Sequence, residues 1–384
     1  MLIVTKNNFE IAKTLITILL ILSYCSPFIF TQSDTTKLNL SYRILLIGDA
    51  GNPSLDNQEP VFSALQKQLS LNPSKTTVVF LGDNIYPEGM PPIHSTERIE
   101  AEKRLNEQIK TITNSNSFGV FTPGNHDWNN GDDDGWERIK SVDKYIKNKK
   151  LKNVTMLPHN GCPGPEVIDL GDKVRLILFD TDWWLNRKVK ATKENSLCNP
   201  VDEKSILDSL NSALKNKGDR FAIITAHHPL ASYGVHGGYF NWKQHIFPLR
   251  ELNSSLWIPL PVLGSLYPIF RKSGISSQDL TSDDYKNMIQ KIEGVLSNNS
   301  NWIYAAGHEH TLQVLKGIND NLYLVSGFGT LAHDEYLTEG DKTIFGALEP
   351  GFMQLDFYSE GGIILSVISG KTGVSKEIFK IKVR

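Results

Sequence analysis

The sequence predicts an α/β fold on three observations. Short apolar segments rich in β-branched residues recur along the chain. Helical patterns separate several of them, and five of the segments end in glycine or alanine followed by a carboxylate, amide or imidazole. The candidate strands are 43–47, 77–81, 118–121, 174–180, 221–226, 302–305 and 322–326. Their near-continuous apolar runs are those expected of strands buried on both faces. Helical patterns fall at 60–69, 97–111, 136–149 and 201–216. Strands alternating with helices imply βαβ units and a mainly parallel sheet with helices outside. The tail differs, because 353–358, 362–368 and 377–383 read as antiparallel strands without helices. One α/β domain over 40–384, with these C-terminal strands (353–383) as an appended β layer, is therefore expected.

One stretch has no clear period. Residues 237–277 carry aromatics, prolines and the apolar run LWIPLPVLGSLYPIF at 256–270. The proline spacing excludes a regular helix or a central strand. An ordered loop or lid is expected, within an insertion around 237–300.

Composition narrows the function. The 384 residues carry 40 Lys+Arg against 42 Asp+Glu, a formal net charge of −2. That balance argues against a nucleic-acid-binding surface, which needs a basic face. Hydrophobic residues at 40% and charged residues at 21% exclude wholesale disorder. With 3 cysteines, a disulfide-built scaffold and a cysteine-ligated zinc ribbon are excluded as well.

The N-terminal segment 1–32 reads as a signal peptide. Lys6 and Lys13 precede an apolar run from about Leu15 to Leu22, followed by polar sequence. The alternative is a retained membrane anchor, since the apolar zone reaches the ~17-residue lower limit for a span. Either way the protein is expected to be exported: secreted, periplasmic, lysosomal or membrane-anchored. In an oxidising compartment Cys162 and Cys198 are expected to pair; two free thiols are the alternative. Sequons at Asn39, Asn153, Asn253 and Asn298 permit glycosylation but do not decide the source.

The chemistry lies in the residues just beyond each strand. The motifs are Gly48-Asp49-Ala50-Gly51, Gly82-Asp83-Asn84-Ile85-Tyr86, Gly124-Asn125-His126-Asp127, His227-His228-Pro229 and Gly307-His308-Glu309-His310. In a parallel sheet, ligands bind outside the carboxyl ends of the strands, so these clusters should converge on one edge. Converging Asp, Asn and His with one Tyr are oxygen and nitrogen donors suited to Fe, Mn or Zn. There are too many of them for one tetrahedral ion, and a pair of ions sharing a carboxylate accounts for them. Singly, such residues more often cap a helix or satisfy a core hydrogen bond. Together, in order and on strand ends, they form a metal site.

The set GDxG, GDNxY, GNHD, HxP and GHxH, in this order, resembles the calcineurin-type metallophosphoesterases. Tyr86, three residues after Asp83, narrows the likeness to the purple acid phosphatases, the tartrate-resistant type in particular. The resemblance runs from about Arg43 to Thr330. It implies an αββα sandwich of two mixed β-sheets flanked by helices, with a dinuclear site at the carboxyl edge of the strands. It further implies that Asp49, Asp83, Tyr86 and His310 hold Fe(III). Asp83 would bridge to a second ion, Fe(II), Zn or Mn, completed by Asn125, His227 and His308. His126 and His236 match positions that contact the phosphate and protonate the leaving group; for His236 the alternative is a solvent-exposed loop residue. Asp127 is expected to accept a hydrogen bond from a ligand or catalytic imidazole, and His228 to lie beside the ligands rather than among them. Ala50 stands where the family commonly has Trp, and Glu309 where it often has Asp; neither change removes a ligand.

The reaction expected is phosphomonoester hydrolysis of the acid phosphatase type, by a metal-activated hydroxide held between two cations about 3.5–4 Å apart. One rival is a phosphodiesterase of the same superfamily acting on nucleotide or lipid diesters, with 256–270 embracing a lipid or lying on a membrane. A remoter rival is a non-catalytic binding module on the same scaffold. The substrate, the second metal and the oligomeric state are left open.

Overall fold

The computed structural model describes residues 39–251, 255–330 and 336–384. The signal at 1–32 and the sequon at Asn253 lie outside them.

Two mixed seven-stranded sheets pack face to face between helices. The first runs in the order β14 (Lys376–Lys382), β13 (Ile363–Ser369), β12 (Gly351–Tyr358), β1 (Leu40–Ile47), β2 (Thr76–Leu81), β3 (Phe118–Thr122) and β4 (Val154–Met156). The second runs β11 (Thr343–Ala347), β9 (Leu312–Lys316), β10 (Leu322–Ser326), β8 (Trp302–Ala306), β7 (Phe221–Thr225), β6 (Val174–Leu178) and β5 (Glu166–Leu170). Strands β1 to β4 are parallel, as are β6, β7, β8 and β10. The helices are α1 (Pro60–Leu71), α2 (Arg98–Thr113), α3 (Gly135–Asn148), α4 (Asp182–Leu185), α5 (Glu203–Lys215), α6 (Trp242–Ile246), α7 (Leu266–Lys272) and α8 (Asp283–Leu296).

The doubly buried strands explain the continuous apolar runs. Successive side chains of a strand point to opposite faces. In β1, Ile44 and Leu46 enter the core between the sheets, while Leu45 and Ile47 pack with the helical layer of α1, α2 and α3. In β7, Phe221 and Ile223 join the inter-sheet core, and Ala222 and Ile224 pack with the layer of α5 and α8. Every residue of β1's second half and of β7 must therefore be apolar or small.

The sandwich is the one the family resemblance implies, and it corrects the simpler reading of a single mainly parallel sheet with an appended layer. The C-terminal strands are not a layer. β12 pairs antiparallel with β1, with Ile44 opposite Leu355, and β13 and β14 extend the same sheet. They cover a strand edge that would otherwise present unpaired backbone groups. Met353, Leu355 and Leu365 carry the inter-sheet core outward. Strands β4, β5 and β11 went unread because they are three residues long, interleaved with charges or half exposed.

The irregular stretch contains more helix than its prolines suggested. α7 includes Pro268 as its third residue, in the first turn, where the missing N–H has no intrahelical partner to lose. Downstream, Ser282 caps α8 by accepting the Tyr285 N–H, and Asp283 and Asp284 stand in the first turn, where the helix dipole favours them. Tyr285, Met288, Ile292 and Leu296 form its buried stripe. Outside, Trp242, Trp257, Ile258, Val262, Leu263 and Phe270 are exposed. Cys162 and Cys198 form the expected disulfide, with Cα atoms 5.4 Å apart.

Candidate metal centre

The site forms where the carboxyl ends of β1, β2 and β3 meet those of β7 and β8. Gly48 and Gly307 let the two sheets touch there: a Cβ on Gly48 would lie 2.8 Å from the Gly307 Cα. Beyond the strands the backbone turns sharply. Asp49, Asp83 and His308 have φ of 55°, 53° and 69°, left-handed values that non-glycine residues rarely adopt. Such strain persists where the surrounding structure over-determines it, typically at functional sites.

Two quartets of donor atoms result, and one carboxylate oxygen belongs to both. In the first, the Tyr86 hydroxyl lies 3.1 Å from Asp49 Oδ1, 3.1 Å from Asp83 Oδ2 and 3.0 Å from His310 Nε2, while His310 Nε2 is 3.4 Å from Asp49 Oδ1. In the second, His227 Nε2 is 3.4 Å from the same Asp83 oxygen and 2.9 Å from Asn125 Oδ1. His308 Nδ1 is 3.0 Å from Asn125 Oδ1 and 3.3 Å from His227 Nε2. Four donors each about 2.1 Å from a common cation, at tetrahedral angles, lie roughly 3.4 Å apart. The distances above, 2.9–3.4 Å, lie near that spacing in both quartets.

The tautomers fit as well. His227 Nδ1 is 2.8 Å from the Leu81 carbonyl, and His308 Nε2 is 2.7 Å from the Gln278 carbonyl. A carbonyl only accepts, so these nitrogens carry the protons and the lone pairs of His227 Nε2 and His308 Nδ1 face inward, as metal ligands require. The residues present fit a dinuclear centre.

The electrostatics follow from burial. Desolvation works against charge on His227, but the Asp83 and Asp49 carboxylates outweigh it and push the imidazole up to about 10, so a cation binding there would displace the Nε2 proton. Burial, then the surrounding histidines, hold His308 and His228 well below their usual range, so both are neutral. Burial and the carboxylates of Asp49 and Asp83 push the Tyr86 hydroxyl well above 10.

His227, His228 and His308 have ring nitrogens within 4.8 Å of one another, yet His228 is engaged on both sides. Its Nδ1 is 2.8 Å from the Thr181 hydroxyl and its Nε2 is 2.7 Å from Gln278 Oε1. Gln278 in turn donates to Asp182 Oδ1 at 3.0 Å. Asp127 departs from expectation: its carboxylate accepts the backbone N–H groups of Gly124, Asn84 and Ile85 and the Asn84 side chain, with no hydrogen bond to an imidazole among the described residues. It shapes the two loops that carry Asp83 and Asn125. His126 donates from Nδ1 to the Pro87 carbonyl at 2.6 Å, and its Nε2 lies 4.0 Å from Asp83 Oδ2 at a partly open rim.

His236 also stands at the rim, its ring centroid 4.0 Å from that of His308. Glu309, between the two ligands of its motif, holds the His236 loop by accepting the N–H groups of His236 and Gly237 at 3.0 and 3.3 Å. That role, and those of Gln278 and Asp279, went unread in the sequence. Gln278 works partly through a carbonyl, which leaves no trace in residue type.

A family model for the calcineurin-like phosphoesterases matches residues 42–258, more than half of the chain. The chain belongs to the calcineurin-like phosphoesterase family. No curated protein matches its sequence. Among solved structures, this phosphoesterase is similar to GAP50 of Plasmodium, described as the anchor in the inner membrane complex, with a TM-score of 0.52 at 17% identity over 90% of this chain and 89% of that one. It is also similar to purple acid phosphatase PPD1 from yellow lupin, with a TM-score of 0.51 at 15% identity over 89% of this chain and 53% of the other. PhoD gives 0.51 at 10% identity over 90% and 69%. At these identities the likeness is one of fold.

Proposed function

We propose that this phosphoesterase hydrolyses phosphomonoesters at a dinuclear centre of the purple acid phosphatase type. The observation that carries the reading is the Tyr86 hydroxyl within 3.1 Å of Asp49, Asp83 and His310. A phenol completing a carboxylate and imidazole set is a hard oxygen donor suited to Fe(III) in one position, with Fe(II), Zn or Mn in the other. When bound, the two cations would polarise the phosphoryl oxygens and supply a nucleophile from water near neutral pH. The chain's own part is orientation and proton transfer. Asp83 ties the two quartets together, Asn125 and the fixed tautomers of His227 and His308 complete the second, and the rim histidines His126 and His236 are open to a phosphate and its leaving group.

The test is colour and leaving-group chemistry together. Purified protein should be violet to pink from phenolate on Fe(III), and Tyr86→Phe should bleach it while leaving the fold intact. Hydrolysis of an aryl monoester should exceed that of a bis-aryl diester. A colourless, diester-selective enzyme indifferent to Tyr86→Phe would contradict the proposal.

A lipid diester reading draws on one specific observation, the exposed apolar face of 242–270. The surrounding stretch also concentrates cations, with Lys243, Arg250 and Lys272 against one acid, Glu251, over 237–277, Arg271 being paired with Asp279. Apolar and aromatic side chains beside basic ones fit an anionic bilayer surface. Co-sedimentation with phosphatidylserine vesicles, lost in Trp257→Ala/Phe270→Ala, is expected; no binding would remove the membrane contact. The disulfide supports export to an oxidising compartment. A non-catalytic anchor, the role in the Plasmodium protein's description, would leave two complete donor quartets without a purpose.

A further inference from the structure

His236 is held from two sides. Its backbone N–H is fixed by Glu309, and its ring is met by the segment that returns from the lid. His236 Nδ1 lies 3.1 Å from Asp279 Oδ1 and 3.2 Å from the Gln278 carbonyl. Two of its three polar neighbours accept, and the third, Arg271 Nη2, already donates to Asp279 Oδ1 at 2.5 Å, so Nδ1 carries the proton and Nε2 is the nitrogen left for proton transfer.

Asp279 is itself pinned. Its side chain is 1% exposed and receives Arg271 through Nε at 2.6 Å and Nη2 at 2.5 Å. Arg271 also donates to the Tyr267 hydroxyl at 2.8 Å, and its Nη2 stands 3.0 Å from His236 Nδ1. Burial opposes charge on Asp279, but His236 and Arg271 hold it below its usual range, as a carboxylate. A planar guanidinium clamping a buried carboxylate with two parallel bonds fixes its direction as well as its charge. Arg271 and His236 thus converge on one oxygen, and removing that oxygen would leave an arginine N–H facing the ring nitrogen.

We infer that Asp279, braced by Arg271, is a positioning residue that holds His236 in the Nδ1–H tautomer for leaving-group protonation. The inference rests on the reading of His236 as the general acid. In that step a water-derived oxygen bonds to phosphorus as the P–O ester bond breaks, the bonding pair stays on the leaving oxygen, and the protonated imidazole gives that oxygen its Nε2 proton. The neutral ring keeps its Nδ1 proton on Asp279 and regains the other from solvent. The lid therefore reaches into the chemistry through a residue that none of the metal-site motifs contains.

Two measurements on the full chain test this. Long-range ¹H–¹⁵N spectra of chelated, diamagnetic protein, with His236 assigned by His236→Gln, should show the Nδ1–H tautomer in wild type. Asp279→Ala should convert it to Nε2–H, because the Arg271 donor then meets Nδ1; Arg271→Met should keep Nδ1–H. In turnover, Asp279→Ala should lower kcat by about 10-fold or more for alkyl monoesters and by less than about 3-fold for an aryl ester with an acidic leaving group, with KM little changed. A wild-type Nε2–H tautomer, an unchanged tautomer in folded Asp279→Ala, or an equal loss across leaving groups would overturn the inference. Should Asp279→Ala not fold, the wild-type tautomer and Arg271→Met still decide it. A wild type inactive on every phosphate ester would sink the proposed activity instead, and the spectra would still judge the pairing.

Discussion

Asp83 is the residue on which both halves of the centre depend. Its Oδ2 closes each quartet, and its Oδ1 accepts the His126 N–H at 2.8 Å, so one side chain sets the position of the other site loop as well. Asp83→Ala is expected to lose both metals and all measurable hydrolysis, read as metal equivalents per chain; two equivalents retained would refute the shared-ligand assignment. At this scale the sequence was most informative. Asp49, Asp83, Asn125, His227 and His308 each follow a strand within three residues, and glycines beside four of them mark the turns. Residues that act across tertiary distance were not legible. Asp279 and Arg271 sit in a stretch without periodicity, and only the fold brings them to His236.

At the scale of elements, the strand-to-loop corners decide whether the ligands meet. Gly51 packs directly on the backbone after β2, where an added Cβ would fall 2.4 Å from the Asn84 carbonyl carbon and 2.5 Å from the Asp83 carbonyl oxygen. Neither can yield without moving Asp83. Gly51→Ala should therefore weaken metal binding by at least about tenfold while far-ultraviolet dichroism stays native, although no ligand is changed; unaltered metal titration would show the corner to be slack. The buried strands were readable because being covered on both faces demands an unbroken apolar run. β5 and β11 were not, because edge strands carry charges and half-exposed residues that look like loop. α8 is hidden for a different reason: its stripe of Tyr285, Met288, Ile292 and Leu296 sits directly behind an aperiodic, proline-rich lid that masks where the helical period begins.

The whole molecule stores buried acid near the site, and this gives its stability a pH dependence. Asp180 accepts the Trp128 indole N–H at 2.8 Å and the Asp182 N–H at 2.9 Å; burial, reinforced by the neighbouring Asp182 carboxylate, pushes it up to about 8. A pKa raised on folding favours the folded state while the group is protonated. The contribution is complete below the unfolded carboxyl value of about 3.9 and is lost as pH rises through about 8. In chelated protein, urea unfolding should show stability falling over that window, and Asp180→Asn should flatten the fall; an identical slope would place the effect elsewhere. The pairing of two sheets, which brings β1, β2 and β3 to the ends of β7 and β8, was implied by the motif order and not by the strand pattern, since local sequence does not say which strands share a sheet. That convergence is what would let one shared carboxylate serve two cations. Its most direct test is the metal-to-chain ratio of pure, saturated protein by mass spectrometry of the elements. Two equivalents, one of them iron, are predicted; a ratio of one or none at saturation would contradict it.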